Sequence, residues 1–460
     1  MMKSVPELRL TAEKYEKEAL GLLERVVEFP TVMPRDKEGL AACASSIEEM
    51  LREKGYEAHQ FSTEGAPVVY AQKDVGASKT LMFYHHYDVQ PEDPLEKWTS
   101  SPWKLVRRGE RIYGRGTSDD KGPLICSIVA MELIEDVLGK SPVNVKFVVE
   151  GEEEAGSMNL PQFTREKEEF LAADGCIWEG AGGIKGSPGE VICGLKGDVY
   201  FELQAKGRPH FPRTDVHSGQ AGAVPNAAWR LVWALSTLKD ERENITIEGF
   251  NDLVTPPLRE DIQALSEYKG DLAKSIKSDY DLDHLLLNRD GIELLTALYL
   301  KPALTICGIV GGYLGESDMT IIPASANAKI DVRLVPNLTV KDVDRLLKEH
   351  LKKKGFGDIQ VKLTTGYNPG KTPVTHPFVK LVKSVTDEAC APESASVVPM
   401  AAGSGPAYLF TKHSPLALPL SYADSEGTNA HAPDENTRID SVTSSIAVIA
   451  AIAERLGKGE

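Results

Sequence analysis

The sequence predicts an α/β protein, a mostly parallel sheet with helices on both faces, interrupted by an inserted α+β sandwich of ferredoxin-like kind. Three observations carry this reading. Residues 80–89 and 143–149 open as unbroken apolar runs, which suits strands buried on both faces. A helical stretch over residues 123–138 separates them, and the order strand, helix, strand implies right-handed crossovers and parallel pairing. From about Leu195 the pattern changes, and residues 326–334 set Ala326, Ala328, Ile330, Val332 and Leu334 against polar neighbours, the alternation of a sheet with one buried face. The chain thus divides into residues 1–194 and 371–460, which build the first unit, and residues 195–370, which build the insert.

Residues 16–29 gather Ala19, Leu20, Leu22, Leu23, Val26 and Val27 along one helix stopped by Pro30, and residues 39–54 form a second helix ending at Gly55. After the strand at 80–89, a glycine-rich turn over residues 113–122 leads into the helix that Pro123 opens. That turn resembles a phosphate loop only weakly, because the Walker spacing is absent and two aspartates would repel phosphate. Residues 175–178 make a short strand with Glu179 at its end, before a glycine-rich loop to Gly189. In the insert, residues 199–205, 305–310, 326–334 and 359–365 read as strands and residues 224–239 and 340–354 as helices, with Asn226 near the start of the first. A polar, mostly helical excursion fills residues 240–300. Exposed edge strands of such a sandwich need covering, which a second subunit can do. Beyond Lys371 come a helix over 377–388, a strand near Val397, the turn Gly403-Ser404-Gly405-Pro406 and an apolar last helix.

Composition bounds the function. The 460 residues, 42% hydrophobic and 26% charged, are enough for two or three domains with a sizeable core. A net charge of −16 argues against nucleic acid and anionic membrane as partners. The six cysteines (Cys43, Cys126, Cys176, Cys193, Cys307, Cys390) lack Cys-x-x-Cys spacing and sit mostly in apolar runs, reading as buried free thiols of a reducing compartment. The first 29 residues have no signal-peptide pattern and the apolar run 446–453 is too short to span a bilayer, so the cytoplasm is the expected location.

The chemistry gathers where strands end. Residues 150–157, Glu-Gly-Glu-Glu-Glu-Ala-Gly-Ser, close the apolar run 143–149. Alone, such an acidic run would be a solvated loop, but carboxylates at the end of a core strand repel one another and call for a cation. His86 and Asp88 stand at the end of the strand at 80–89, where residues two apart share a face and His85 points the other way. A carboxylate that fixes one imidazole nitrogen leaves the other free to ligate a metal. The carboxyl ends of parallel strands are where α/β sheets place their sites. No Gly-x-Ser-x-Gly elbow and no His-Glu-x-x-His occurs, which disfavours serine or cysteine nucleophiles and single-zinc chemistry.

Together, His86-Tyr87-Asp88, residues 116–122 with Asp119, residues 150–157 with Glu153 and Glu154, Glu179, residues 215–219 around His217, and His431 resemble the dinuclear zinc peptidases related to aminoacylase, glutamate carboxypeptidase and carnosinase. The likeness runs in order over nearly the whole chain and is strongest to the cytosolic dipeptidase branch, through Leu-Val-Pro-Asn after Arg333 and Thr320-Ile-Ile-Pro before it. The resemblance implies that His86 and Glu179 bind one metal, His431 and Glu154 the other, and that Asp119 bridges them. Two Zn²⁺ against three carboxylates leave one positive charge, which a hydroxide bridging the metals cancels. Zinc is the default ion, with Mn²⁺ or Co²⁺ as alternatives, since no thiolate ligand narrows the choice. Glu153 is implied as general base and Asp88 as the partner that orients His86. His217 is implied to reach the partner subunit's site in a homodimer formed through the insert, and Arg333 and Thr320 to hold a substrate carboxylate, with Ser404 a further candidate contact.

Two departures bear on the substrate. Residues 208–213, with His210, Phe211 and Pro212, resemble a small insertion before the His217 motif, and Glu179 stands where the dipeptidase branch has Asp. The expectation is a metal-dependent peptidase acting on dipeptides or short peptides next to a free carboxylate. An N-acyl-amino-acid deacylase on the same site is the alternative these residues do not separate from it. A non-catalytic binding or scaffold protein is disfavoured by the intact base and ligands.

Overall fold

The computed structural model describes all residues except 1, 2, 181, 184, 422–426 and 460; two positions of the glycine-rich loop between Glu179 and Gly189 therefore lie outside the described residues. Its largest sheet has eight strands in the order Glu57–Phe61, Val68–Lys73, Asn144–Glu150, Thr80–His86, Gly175–Trp178, Leu416–Ser421, Gly189–Ile192 and Ala395–Val398. Four central strands, Asn144–Glu150, Thr80–His86, Gly175–Trp178 and Leu416–Ser421, run parallel. The two strands before Thr80 are antiparallel additions at one edge.

The unbroken apolar run of the Thr80–His86 strand is explained by burial on both sides. Leu81 and Phe83 face the core shared with the helices Lys37–Glu53, Lys121–Leu138, Pro377–Cys390 and Ile439–Lys458. Met82 and Tyr84 face a second core, with Leu160, Phe163 and Phe410. Tyr84 stacks on Trp178 at 3.7 Å between ring centroids, and both rings lie beneath the strand ends. Among the described residues, no helix is long and apolar enough to cross a membrane.

The insert is an antiparallel sheet in the order Ala303–Gly311, Ser325–Leu334, Gly194–Lys206 and Gln360–Tyr367. Helices Ala227–Leu235 and Val340–Lys353 cover one face, where Val199, Phe201, Ile330 and Val332 meet Leu231 and Leu347. The opposite face carries Lys329, Asp331 and Arg333, as the alternation requires. Asn226 caps the first helix, its Oδ1 accepting from the amides of Ala228 and Trp229 at 2.9 and 3.1 Å.

Three expectations change. The helix expected over residues 224–239 is shorter, Ala227–Leu235. Residues 240–300 are helical but dock on the large sheet, with Leu265, Leu295, Tyr299 and Leu300 packed against Ile192 and Val398. Cys307 is exposed, on the outer edge strand of the insert, while the other five cysteines are buried thiols.

Candidate metal centre

Asp119 lies between two imidazoles. Its Oδ1 is 3.0 Å from His86 Nε2 and its Oδ2 is 2.9 Å from His431 Nε2. His86 ends the Thr80–His86 strand, Asp119 precedes the Lys121–Leu138 helix, and Glu179 directly follows the Gly175–Trp178 strand. Glu153 and Glu154 sit on a 3₁₀ turn, Glu153–Ala155, after Asn144–Glu150. The parallel strands thus deliver these side chains at their carboxyl ends. Glu154 Oε1 stands 3.2 Å from His431 Nε2, and Asp119, Glu154 and His431 offer ligand atoms all within 4.8 Å of one another.

The electrostatics of the cluster favour positive charge. Burial acts to raise the Asp119 carboxyl, but hydrogen bonds to His431 and His86 outweigh it and hold the group below the usual carboxylate range. His431 is pushed up to about 10 by its contacts with Asp119 and Glu154. Burial opposes protonation of His86, yet Asp119 and Asp88 raise it well above its ordinary value. Glu179 is driven far up by burial and by Glu153, and its buried Oε1 has no hydrogen-bond partner among the described residues. Two imidazoles and three carboxylates with an unused buried oxygen fit hard or borderline divalent ions.

The four glutamates of the 150–154 stretch divide into two structural and two site groups. Glu150 is buried and accepts from Tyr84 Oη at 2.6 Å and Ser157 Oγ at 2.8 Å, and burial pushes its carboxyl up to about 8. Glu152 accepts from the amides of Ala66 and Asn159, both at 3.0 Å. Glu153 and Glu154 turn toward the cluster. Burial raises the Glu153 carboxyl well above its ordinary range, and a methyl group added at Gly405 would lie 3.1 Å from its Oε1, so the carboxylate rests against that glycine. Glu154 is oriented by Gln90, whose Nε2 donates to Oε2 at 2.7 Å.

Asp88 lies beyond the end of its strand, so its placement does not follow from strand alternation. His86 Nδ1 is 3.1 Å from the Asp88 main-chain oxygen and 3.5 Å from Oδ1. The Asp88 carboxylate accepts from the amides of Glu153 and Glu154 at 3.1 and 3.0 Å, so it holds the turn carrying both glutamates. Two further carboxylates, which the sequence reading missed, act similarly. Glu435 Oε1 accepts from the amides of Ser118 and Asp119 at 2.9 and 3.1 Å, and Oε2 from Gly116 N at 3.0 Å and Arg115 Nη1 at 2.8 Å. Asp120 Oδ2 accepts from the His86 amide at 3.0 Å and lies 2.8 Å from His85 Nδ1, whose other nitrogen meets Ser127 Oγ at 2.9 Å. Apart from Arg115 and His85, their partners are backbone amides, which leave no residue-type signal; a hint is Glu435 lying four residues after His431.

The remaining candidates form two other groups. Arg333 Nη1 donates to Ser404 Oγ at 2.9 Å and Nη2 to Asp331 Oδ2 at 2.8 Å, next to the Gly405 that touches Glu153. His217 is exposed on the two-residue strand Val216–His217, which pairs with Ile321–Ile322, and Thr320 O accepts from Ser218 N at 2.9 Å. Thr320 therefore stands with His217, and among the described residues no hydrogen bond or ion pair within one chain joins that pair to Arg333 or to the candidate ligand cluster.

The family model for peptidase family M20/M25/M40 matches residues 82–455. The Beta-Ala-His dipeptidase of Rattus norvegicus is 31% identical over 312 residues, 66% of this chain and 62% of that protein, so the match spans about six-tenths of that relative's length. A Cys-Gly metallodipeptidase of Schizosaccharomyces pombe is 31% identical over 390 residues, 80% of this chain and 79% of that one. The crystal structure of an M20 family metallo-carboxypeptidase from Sulfolobus solfataricus superposes with a TM-score of 0.88 at 32% identity, covering 96% of this chain and 99% of the other.

Proposed function

The chain belongs to peptidase family M20/M25/M40, whose matched region spans the whole metal cluster, and on that premise we propose that it is a metal-dependent peptidase cleaving dipeptides or short peptides next to a free carboxylate. The observation that carries the reading is Asp119, with one oxygen on each of two histidines. Residues 1–194 and 371–460 form the catalytic unit, and 195–370 a lid and dimerisation unit, of which the helices around Leu265 and Leu295 rest on the catalytic sheet. His86 and Glu179 would hold one divalent ion and His431 and Glu154 the other, with Asp119 placed to serve both; Zn²⁺ is the first choice, Mn²⁺ or Co²⁺ the alternatives. When bound, such ions supply Lewis acidity toward a carbonyl and make water acidic near neutral pH.

The chain's own residues do the rest. Glu153 takes the proton of the attacking water at its carboxylate and gives it to the departing amine. Asp88 fixes the turn on which Glu153 and Glu154 sit. Arg333, steadied by Asp331 and beside Ser404, offers planar donors to a substrate carboxylate. That the relatives named above are dipeptidases and a carboxypeptidase, which act beside a free carboxyl end, supports this assignment. The test is a panel of dipeptides, tripeptides and N-acetyl amino acids given to chelator-stripped protein refilled with Zn²⁺, Mn²⁺ or Co²⁺. Metal-restored cleavage of dipeptides is expected; preference for acetylated substrates would move the protein to the deacylases, and no cleavage by metal-loaded protein would remove the enzymatic reading.

Exposed and far from the cluster in sequence and in contacts, His217 and Thr320 act in this proposal across a homodimer. Ala303–Gly311 is an edge strand with Ile306, Ile309 and Val310 about half exposed, and the adjoining helix exposes Trp229 and Trp233. An open edge beside an apolar patch of this kind favours pairing with a second copy. There His217 steadies the oxyanion of the tetrahedral intermediate and Thr320 contacts the substrate carboxylate. Mixing His217→Ala chains with Glu153→Gln chains tests it. Each variant alone is expected to be nearly inactive, while random mixed dimers recover about one quarter of wild-type activity, one working site in half of the dimers. Absence of recovery in verified mixed dimers would place His217 outside the partner's site.

A further inference from the structure

Arg333 has two carboxyls beside it on one face of the insert's sheet. It pairs in register with Asp198 of the strand Gly194–Lys206, and Asp331 stands two residues before it on its own strand. Asp331 Oδ2 accepts from Arg333 Nη2 at 2.8 Å. The Asp198 carboxyl lies within hydrogen-bonding reach of Asp331 rather than of a cationic donor. Oδ1 of each aspartate is buried and has no hydrogen-bond partner among the described residues. Buried acceptors without a donor are rare, and two on neighbouring carboxyls point to a proton held between them, because both cannot ionise at that separation without strong repulsion. Burial and then Asp331 push the Asp198 carboxyl up to about 7, against the pull of Arg333.

The other ionisable groups around Asp198 are accounted for. Lys196, on the same face, donates through Nζ to Lys301 O at 2.5 Å, and burial with Arg333 brings its ammonium down to about 8. Tyr367, opposite Asp198 on the strand Gln360–Tyr367, and Tyr200 are both raised and stay neutral near pH 7. Cys307 lies against Tyr200 from the edge strand, Lys329 and Glu202 pair farther along the sheet, and Lys371 is turned to Asp261.

We infer that Asp198 and Asp331 hold a single proton between them and that this proton sets the grip of Arg333 on a substrate carboxylate. With it, the two carboxyls carry one negative charge, which Arg333 balances. When it leaves to solvent they carry two, the surroundings of Arg333 turn negative, and an incoming carboxylate is repelled. Both aspartates are positioning residues that act through the guanidinium. The inference rests on the reading of Arg333 as the carboxylate-binding group, and the test separates the two.

The metal-loaded full chain is assayed on a cleaved dipeptide from about pH 5.5 to 8.5, with KM and kcat read separately, and the aspartate carboxyl carbons are followed by NMR over the same range. Asp198→Asn and Asp331→Asn assign the signals. The pair is expected to show a titration near pH 7, and the parent KM to rise about tenfold between about pH 6 and 8, as the protonated fraction falls. Asp198→Asn keeps the neutral form, so its KM is expected to stay near the parent's acidic value until Lys196 titrates. Groups at the metal cluster contribute alike to both proteins, so the difference between the two KM profiles isolates the pair. Should Asp198→Asn fail to fold, Asp198→Ser is the second neutral variant. Two carboxyls that titrate independently near about pH 4, parallel KM profiles, or a variant KM raised at every pH overturn the proposal. Arg333→Ala checks the reading beneath it: an unchanged KM there removes Arg333 as the carboxylate's partner, whatever the NMR titration shows.

Discussion

Glu153→Gln is expected to lower kcat on a dipeptide by about 10² to 10⁴ while the metal content stays that of the parent. Glutamine matches the carboxylate in size and keeps one oxygen, so the rest against Gly405 and the turn held by Asp88 remain. What it loses is the ability to accept and return a proton. The proposed ligands Asp119, Glu154, Glu179, His86 and His431 are untouched, so metal content by elemental analysis is expected to equal that of the parent. A fall in kcat with KM nearly constant is the signature of a group used between ground and transition state. If Glu153→Gln retains more than about a tenth of the parent kcat, the proton is carried by another group.

The second large effect is on stability. Glu435→Ala removes four acceptor contacts at once and leaves the fully buried Arg115 guanidinium facing no carboxylate. Losing one member of a buried pair costs about 3 to 5 kcal/mol, because the other charge remains desolvated. Denaturant unfolding is expected to register that loss. Apparent metal affinity should fall with it, since the amides of Ser118 and Asp119 lose the group that sets the Asp119 loop. Glu435→Gln keeps an acceptor for the amides but not the charge against Arg115, and should fall between. A stability change under about 1 kcal/mol for Glu435→Ala would mean that the loop is held by other contacts.

The cluster at the strand ends could be read from sequence because its signals are local. An apolar run fixes the strand, and the polar residue that ends it falls at the carboxyl edge, as for His86 and Glu179. The parallel centre followed for the same reason. What was not readable involves partners without side-chain identity or pairs distant in the chain. Asp88 spends its carboxylate on backbone amides, and Asp120 and Glu435 do so in part, and any residue supplies an amide. The strand Glu57–Phe61 lies at a sheet edge with only Ala58 buried, too little to impose alternation. Residues 240–300 looked polar because each helix there buries few residues, Asp261 and Leu265 in one and Leu295, Tyr299 and Leu300 in another. Thr320 and Arg333, close in sequence, part company because Thr320 turns to Ser218 while Arg333 continues the strand toward Ser404.

The bond from Asp119 to His431 spans 312 positions of the chain, and that separation sets an order of events during synthesis. His86, Asp119, Glu154 and Glu179 leave the ribosome early, whereas His431 and the Glu435 that fixes the Asp119 loop come about 250 residues after Glu179. At about 5 to 20 residues per second, the interval is roughly ten seconds to a minute. Throughout it the nascent chain carries an acidic, half-made coordination sphere, with no Glu435 to order the loop. The proposed ligand set is therefore complete only after the C-terminal segment has emerged and added its strand to the sheet.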